Sequence, residues 1–166
     1  MSGTGVEAMR PEAAVSQPIS AEYAARIRTA LESQGFLQLV GGEIDEVGAG
    51  LLVMSVGYRR EVTQQNGVFH GGVIAFLVDT ATTGAAATVL RAGYSVITAE
   101  YKLNIVSPGV GDRLVCRAEV IKPGRMLTVV EAKVHAHAGD TTKLVAVGLA
   151  TIANLPPERK SPGFAR

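Results

Sequence analysis

The sequence contains one cysteine and no tryptophan among its 166 residues. Cys116 cannot form a disulfide within the chain, and no other potential ligand accompanies it at the spacing of a zinc site. A single thiol is typical of a reducing compartment, so we expect a cytoplasmic protein. Neither a disulfide framework nor a cysteine-bound metal is expected.

Neither positive nor negative residues are in clear excess. Lysine and arginine number 16 against 15 aspartates and glutamates, which gives a net charge of +1. Because both signs are mixed along the chain, no broad positive field exists to attract nucleic acid. Nucleic acid is therefore not an expected partner.

Long hydrophobic runs are scarce. Residues 1–19 lack the apolar core of a secretory signal, and residues 155–166 contain three prolines, so we expect two flexible tails. The stretch from Val73 to Leu90 contains Asp79 and four threonines, which favours a buried helix over a membrane span. Residues 20–154 are long enough for a single domain.

Hydrophobic periodicity predicts an α+β chain with two helices and six strands. The first helix is expected to begin after Ser20 and to end before Gly35, and the long second helix to begin at Gly71. The predicted strands span 36–47, 51–58, 95–106, 113–121, 127–138 and 143–154. Short connections favour antiparallel pairing, and a helix that is apolar almost all round needs cover on most sides. A curved antiparallel sheet wrapped around the long helix meets both requirements.

The strand predicted at 95–106 alternates between apolar and polar residues. Strict alternation places Tyr101 with the apolar residues on one face and Thr98 with Glu100 and Lys102 on the other. Thr98 is therefore expected on the polar face.

The long helix begins with a His-Gly-Gly triplet, residues 70–72. The first backbone N–H groups of a helix have no acceptor within it and lie at the positive end of its dipole. Gly71 and Gly72 could therefore hold the oxyanion of an acyl-transfer reaction, with glycine permitting a close approach. An ordinary glycine-rich helix entry is an equal alternative.

Asp79 is the one charge within the apolar part of this helix. A buried carboxylate is costly unless it is paired or hydrogen-bonded, and Thr83, one turn further on, could supply the bond. Asp79 follows Gly71 by eight residues, or about 12 Å of helix rise at ~1.5 Å per residue. If both act in one site, the carboxylate must come from a second subunit across a two-fold axis.

The segment TQQNGVFHGGVIAFLVDTATTGAAA and the order of elements resemble the hotdog-fold acyl-CoA thioesterases. The match is to the PaaI-like branch of the 4-hydroxybenzoyl-CoA thioesterase superfamily, over about residues 20–154. The resemblance implies a hotdog fold, a homodimer or homotetramer, and no cofactor, since coenzyme A is part of the substrate. It implies hydrolysis of an acyl- or aryl-CoA thioester to free acid and CoA; the alternative is a module that binds acyl-CoA without cleaving it.

The resemblance also implies site residues. His70 and Gly71 fall at the oxyanion position, and Asp79 of the partner subunit at the position of the base or nucleophile. The amide that orients the attacking water maps onto Gln64, with Gln65 and Asn66 nearby as alternatives. Two further positions of the family map onto hydroxyls that would support the acid, Thr83 and, ranked lower, Thr98.

Residues for substrate contacts follow from position. Gly72, Asn66 and Phe76 adjoin the expected site, and Thr98 would reach it across a dimer interface. Arg91, at the end of the long helix, and Lys122 and Arg125, in the KPGR turn, are candidates for the phosphates of coenzyme A. His135 and His137 share one face of a strand but have no evident third ligand, so a metal is not expected.

Overall fold

The structure is a computed structural model that describes residues 19–159. Three helices are formed: α1 (Ala21–Glu32), α2 (Gly35–Val40) and α3 (Gly71–Ala87). Six strands are formed: β1 (Gly42–Gly48), β2 (Leu51–Gly57), β3 (Ser95–Ile105), β4 (Arg113–Pro123), β5 (Leu127–Ala138) and β6 (Thr141–Leu155). Short 3-10 turns occupy Arg60–Val62 and Pro157–Arg159.

All six strands form one antiparallel sheet in the order β1-β2-β4-β5-β6-β3. The long helix α3 packs across one face of this sheet and contacts all of its strands except β1 closely. Its inward side chains join those of the sheet in one core. The predicted antiparallel sheet around a central helix is confirmed.

Glycines let the sheet and α1 approach α3 closely. A Cβ at Gly148 of β6 would lie 2.5 Å from Cγ1 of Val78, and one at Gly84 of α3 would lie 2.7 Å from Cδ2 of Leu52. Neither distance is compatible with a side chain. The depth at which α3 sits therefore depends on the absence of side-chain atoms at these positions.

The first helix forms where it was predicted. The Ser20 hydroxyl accepts a hydrogen bond from the Tyr23 amide at 3.1 Å, and Ile27 and Leu31 are buried. The Tyr23 hydroxyl donates to the Ala87 carbonyl at 2.8 Å. This bond ties α1 to the last turn of α3.

The prediction of a strand over 36–47 was wrong in its first half. Residues Gly35–Val40 form α2, Gly41 ends it with φ of 64°, and β1 begins only at Gly42. Leu37 and Val40, three residues apart, are buried. The short run FLQLV does not alternate strictly, its buried residues have helical spacing, and the left-handed glycine after it ends the helix.

The predicted faces of β3 were wrong at Thr98. Thr98 pairs with Ile152 and Glu100 pairs with Thr151, so Ala99 is an extra residue in a β-bulge. Ile152 is fully buried on the face that covers α3. The bulge therefore places Thr98 on the same face as Tyr101, towards the helix.

Helices in the described part of the chain are all too short or too polar to cross a membrane. At the C-terminal end, Leu155 belongs to β6 and Pro157–Arg159 form a turn, where the sequence predicted a flexible tail. The rest of both predicted tails lies outside the described residues.

Candidate active site

His70 is the N-cap of α3. Its Nδ1 accepts a hydrogen bond from the Gly72 amide at 2.8 Å, which leaves the proton of a neutral imidazole on Nε2. The Gly71 amide has no acceptor among residues 19–159. Of the two glycines predicted to offer N–H groups, Gly71 is thus the one whose amide is available to a ligand.

The loop before α3 is held by backbone hydrogen bonds. The His70 amide donates to the Val62 carbonyl and the Phe69 amide to the Gly109 carbonyl, each at 2.9 Å. Phe69 is buried and packs edge-on against Tyr58. These contacts fix the approach of the chain to Gly71.

A polar cleft of about 600 Å³ opens beside this loop. Its lining includes Gln64, Asn66, His70 and Gly71, together with apolar residues such as Ile105. Oε1 of Gln64 accepts from the Asn66 amide at 3.1 Å, so the Gln64 NH₂ group is left to donate. The cleft therefore brings together an amide donor and the free N–H of Gly71.

Asp79 is half-buried and lies in the third turn of α3. The Thr98 hydroxyl donates to Oδ1 of Asp79 at 2.7 Å, and Oγ1 of Thr83 lies 2.8 Å from Oγ1 of Thr98. Each hydroxyl carries one proton: that of Thr98 goes to Asp79, and that of Thr83 is shared between Oγ1 of Thr98 and the backbone carbonyl of Asp79, to which Thr83 also donates. Oδ2 of Asp79 has no donor within the described residues, so the carboxylate has one anchored oxygen and one free oxygen.

The structure reverses the order of importance that the sequence predicted for Thr83 and Thr98. Thr83 does not contact the carboxylate; its hydroxyl lies 2.9 Å from the Asp79 backbone carbonyl. Thr98, ranked lower because strict alternation placed it on the polar face, contacts the carboxylate directly because of the bulge. No signal in the strand's composition distinguishes a bulge at Ala99 from regular pairing.

Asp79 does not line the polar cleft of its own chain. The helix is continuous over Gly71–Ala87, so Asp79 and Gly71 are about 12 Å apart along its axis. One chain thus presents an oxyanion donor and a carboxylate at two separate places.

The basic candidates lie at the far end of α3. Arg91 and Arg125 line a common cavity of about 200 Å³, together with Asn154. The Asn154 side chain donates to the Gly124 carbonyl at 2.8 Å, which positions the turn that carries Arg125. Lys122 does not line this cavity.

The remaining titratable candidates lie away from the cleft. His135 and His137 line a groove on the face of the sheet opposite α3, where burial, His137 and Lys133 lower the pKa of His135. No three metal-binding side chains cluster within residues 19–159. Burial raises the pKa of Cys116 to about 12, so its thiol is not a nucleophile.

A second, apolar groove of about 670 Å³ was not expected from the sequence, because α2 was not. We call it the α2 groove. Its walls include Phe36, Leu39 and Val40 from α2, and His70 and Gly72 from the start of α3. Phe36 also meets Phe76 edge-on, with ring centroids 4.9 Å apart. Phe76 is thus placed near the groove rather than in the polar cleft.

Comparison with known proteins identifies the family of this chain. The sequence profile of the thioesterase superfamily matches residues 66–143, from the site loop to the start of β6. A thioesterase family protein from Silicibacter pomeroyi has a similar solved structure, with 34% identity and a TM-score of 0.78. The similarity covers 81% of this chain and 98% of that one.

Two relatives are similar in sequence. A Saccharolobus solfataricus protein whose name suggests an esterase is 32% identical over 82 residues, or 49% of this chain and 58% of that protein. A 1,4-dihydroxy-2-naphthoyl-CoA hydrolase from Listeria monocytogenes is 29% identical over 119 residues, or 72% of this chain and 94% of that protein. The expected general class of hydrolase is supported, and the chain belongs to the thioesterase superfamily.

Proposed function

We propose that this protein hydrolyses acyl-CoA or aryl-CoA thioesters to the free acid and coenzyme A. The observation that carries the proposal is that the chain offers both an unused helix N-terminal amide, Gly71, and a carboxylate, Asp79, that keeps one oxygen free. A thioester carbonyl needs a donor for its developing oxyanion, and its attacking water needs a base. The Listeria relative, whose name gives a CoA thioester as substrate, supports the choice of leaving group.

The proposed site is shared between two copies of the chain. Within the described residues β3 pairs only with β6, so its other edge is open. Tyr101 and Ile105 lie on the face of β3 towards α3. Tyr101 is nevertheless 38% exposed and Ile105 50% exposed. An open edge strand with exposed apolar side chains favours pairing with a second copy.

A two-fold axis at that edge would set two α3 helices side by side and antiparallel. Ile105 Cδ1 lies 3.5 Å from the position of a Cβ on Gly71, so the β3 edge and the oxyanion donor are neighbours. Thr98 ties Asp79 to the same strand. Such a dimer would bring Asp79 of the partner subunit to the polar cleft, twice per dimer.

In the proposed mechanism the Gly71 N–H donates to the thioester oxygen, and His70 keeps Gly72 fixed beside it. The Gln64 NH₂ group donates to a water molecule, and Oδ2 of the partner subunit's Asp79 takes a proton from that water as it attacks the carbonyl carbon. The C–S bond then breaks, and the CoA sulfur receives the proton. Direct attack by Asp79 to give an anhydride, which water then hydrolyses, is the alternative route.

The test is release of free CoA by wild type and by Asp79→Ala. The variant is expected to lose release of CoA while its oligomeric mass in light scattering stays unchanged. Hydrolysis at the wild-type rate by Asp79→Ala would contradict the role of Asp79. Wild-type protein that binds acyl-CoA in calorimetry without releasing CoA over hours would instead indicate a binding module. A cytoplasmic location, the absence of a cofactor, and a homodimer or homotetramer stay predictions.

A further inference from the structure

We infer that the α2 groove binds the acyl group of the substrate, and that the preferred substrates carry a bulky apolar acid, medium-chain or aryl, rather than acetate. The inference rests on the proposed function and deepens it. It depends on a helix that the sequence did not predict and on residues that have no role in the proposed chemistry.

The α2 groove and the polar cleft meet at the oxyanion donor. His70 lines both, Gly71 lines the cleft, and Gly72 lines the groove. A thioester carbonyl bound at the Gly71 N–H has two substituents, the acyl chain and the sulfur of CoA, which must leave the carbon in different directions. Two cavities that diverge from one point provide these two directions.

The chemistry of the two cavities differs. The cleft carries three side-chain amides and Ser107, which suit the amide-rich arm of coenzyme A, beside apolar residues such as Val68 and Val106. The groove carries Phe36, Leu39, Val40 and Val73 together with Arg59, Glu61 and Thr63, and more of its lining surface is apolar than in the cleft. Assignment of the acyl group to the groove therefore matches apolar with apolar.

Two side chains of the groove are unusually exposed for their size. Phe36 is 54% and Leu39 70% accessible, although Leu37 of the same short helix is buried. An acyl group lying against them would remove this apolar surface from water.

The groove is also held open in the free chain. The Arg59 guanidinium donates to the carbonyl of Leu39, and the left-handed Gly41 ends α2 against that side chain. Arg59 also lines the groove. Because these contacts fix α2 in the free chain, the groove is available without rearrangement, which lowers the cost of binding.

The first test compares kcat/KM over acetyl-, butanoyl-, octanoyl-, benzoyl- and phenylacetyl-CoA for wild type and Leu39→Ala. We expect Leu39→Ala to lower kcat/KM for the long and aryl substrates about tenfold and to leave acetyl-CoA within about twofold, as for the loss of apolar contact in a binding pocket. Leu149→Ala is the matched control, because Leu149 is 50% exposed on the opposite face of the sheet. An unchanged chain-length profile in Leu39→Ala would overturn the inference.

The second test does not require turnover. The chain has no tryptophan, so Leu39→Trp in the Asp79→Ala background places a single indole in the groove, and Leu149→Trp in the same background places one outside it. Octanoyl-CoA is expected to shift the emission of the first protein to the blue and leave the second unchanged, and CoA alone to shift neither.

The outcomes separate the inference from the proposed function. An emission shift without CoA release by wild type would support the groove and contradict the hydrolase. CoA release by wild type without an emission shift from octanoyl-CoA would support the hydrolase and contradict the groove. If the indole emission shifts with protein concentration and not with ligand, a second copy of the chain covers the groove. That result would also overturn the inference.

Discussion

The proposed mechanism depends on single atoms at Gly71 and Asp79. The Gly71 amide is free while the neighbouring Gly72 amide is capped by His70, and one carboxylate oxygen of Asp79 is bound while the other is free. One of the two amides and one of the two carboxylate oxygens are thus hydrogen-bonded within the chain, and the other amide and the other oxygen stay available to a ligand. Substitutions that remove single atoms can therefore test the roles separately.

Gly71→Pro is expected to lower kcat by about 10²- to 10³-fold, the usual effect of losing one oxyanion donor. Proline removes the N–H and adds its ring, and the first position of a helix accepts it. His70 has φ of −68° and ψ of 138°, a conformation that suits the residue before proline. Gly71→Ala is the matched control, since it keeps the N–H and its Cβ would meet Ile105 at 3.5 Å, an ordinary contact. Equal activity of the two variants would remove Gly71 from the mechanism.

Thr98→Val is expected to lower kcat about tenfold by releasing the carboxylate that it holds, with a smaller loss in Thr83→Val. Valine keeps the shape of threonine, and only the bond from Thr98 reaches Asp79 Oδ1. Steady-state kinetics with one substrate compare the two. A larger loss in Thr83→Val would favour the order of importance inferred from the sequence.

His135 links stability to pH. Its pKa is lowered from 6.5 by burial and by the positive charges of His137 and Lys133. In the acid range the unfolded chain therefore binds a proton at His135 more readily than the folded chain, so this contribution to stability falls as pH drops through about 6.5. Thermal unfolding at pH 7.5 and pH 5.5 should show a smaller acid loss in His135→Gln than in wild type; an equal loss would assign the effect to other groups.

At the scale of the element, α3 determines both the fold and the spacing of the site. Its apolar length, its glycine start and its position under the sheet follow from the sequence, because they depend on local pattern and on a helix that needs cover on most sides. The paired strands β2 to β6 were likewise predictable within a few residues, since turns and alternation are local signals.

The parts that escaped sequence reasoning are those decided by long-range pairing. The bulge at Ala99 exists because β3 must match β6 while Thr98 faces the helix, and no neighbour of Ala99 in the sequence specifies it. Likewise α2 replaces half of a predicted strand, because the run FLQLV is too short for its helical spacing to be evident from the sequence. Both misses concern the site, as Thr98 and the α2 groove depend on them.

Gly148→Ala is expected to destabilise the fold by about 1–3 kcal/mol, the usual cost of overpacking a core. Its new Cβ would lie 2.5 Å from Cγ1 of the fully buried Val78, so β6 and α3 would have to separate. Gly57→Ala is the control, because nothing lies within 4 Å of a Cβ there. Chemical denaturation measures both, and equal stability would indicate that α3 can shift freely.

In the proposed dimer, each site takes its Gly71 amide from one chain and its Asp79 carboxylate from the other. A mixed dimer of Asp79→Ala and Gly71→Pro chains, isolated by two affinity tags, carries both lesions in one shared site and none in the other. It is expected to recover about half of the wild-type rate, although each variant alone is nearly inactive. An inactive mixed dimer would mean that each chain completes its own site.

The burial of Cys116 has a practical consequence for these experiments. If the protein releases coenzyme A as proposed, a thiol-reactive chromophore added in excess will report that sulfur but not the protein's own, which is fully buried and protonated. When the chain unfolds, that sulfur becomes reactive and adds one equivalent to the signal. The same reagent therefore counts turnover in the folded enzyme and molecules lost to unfolding, without any substitution in the chain.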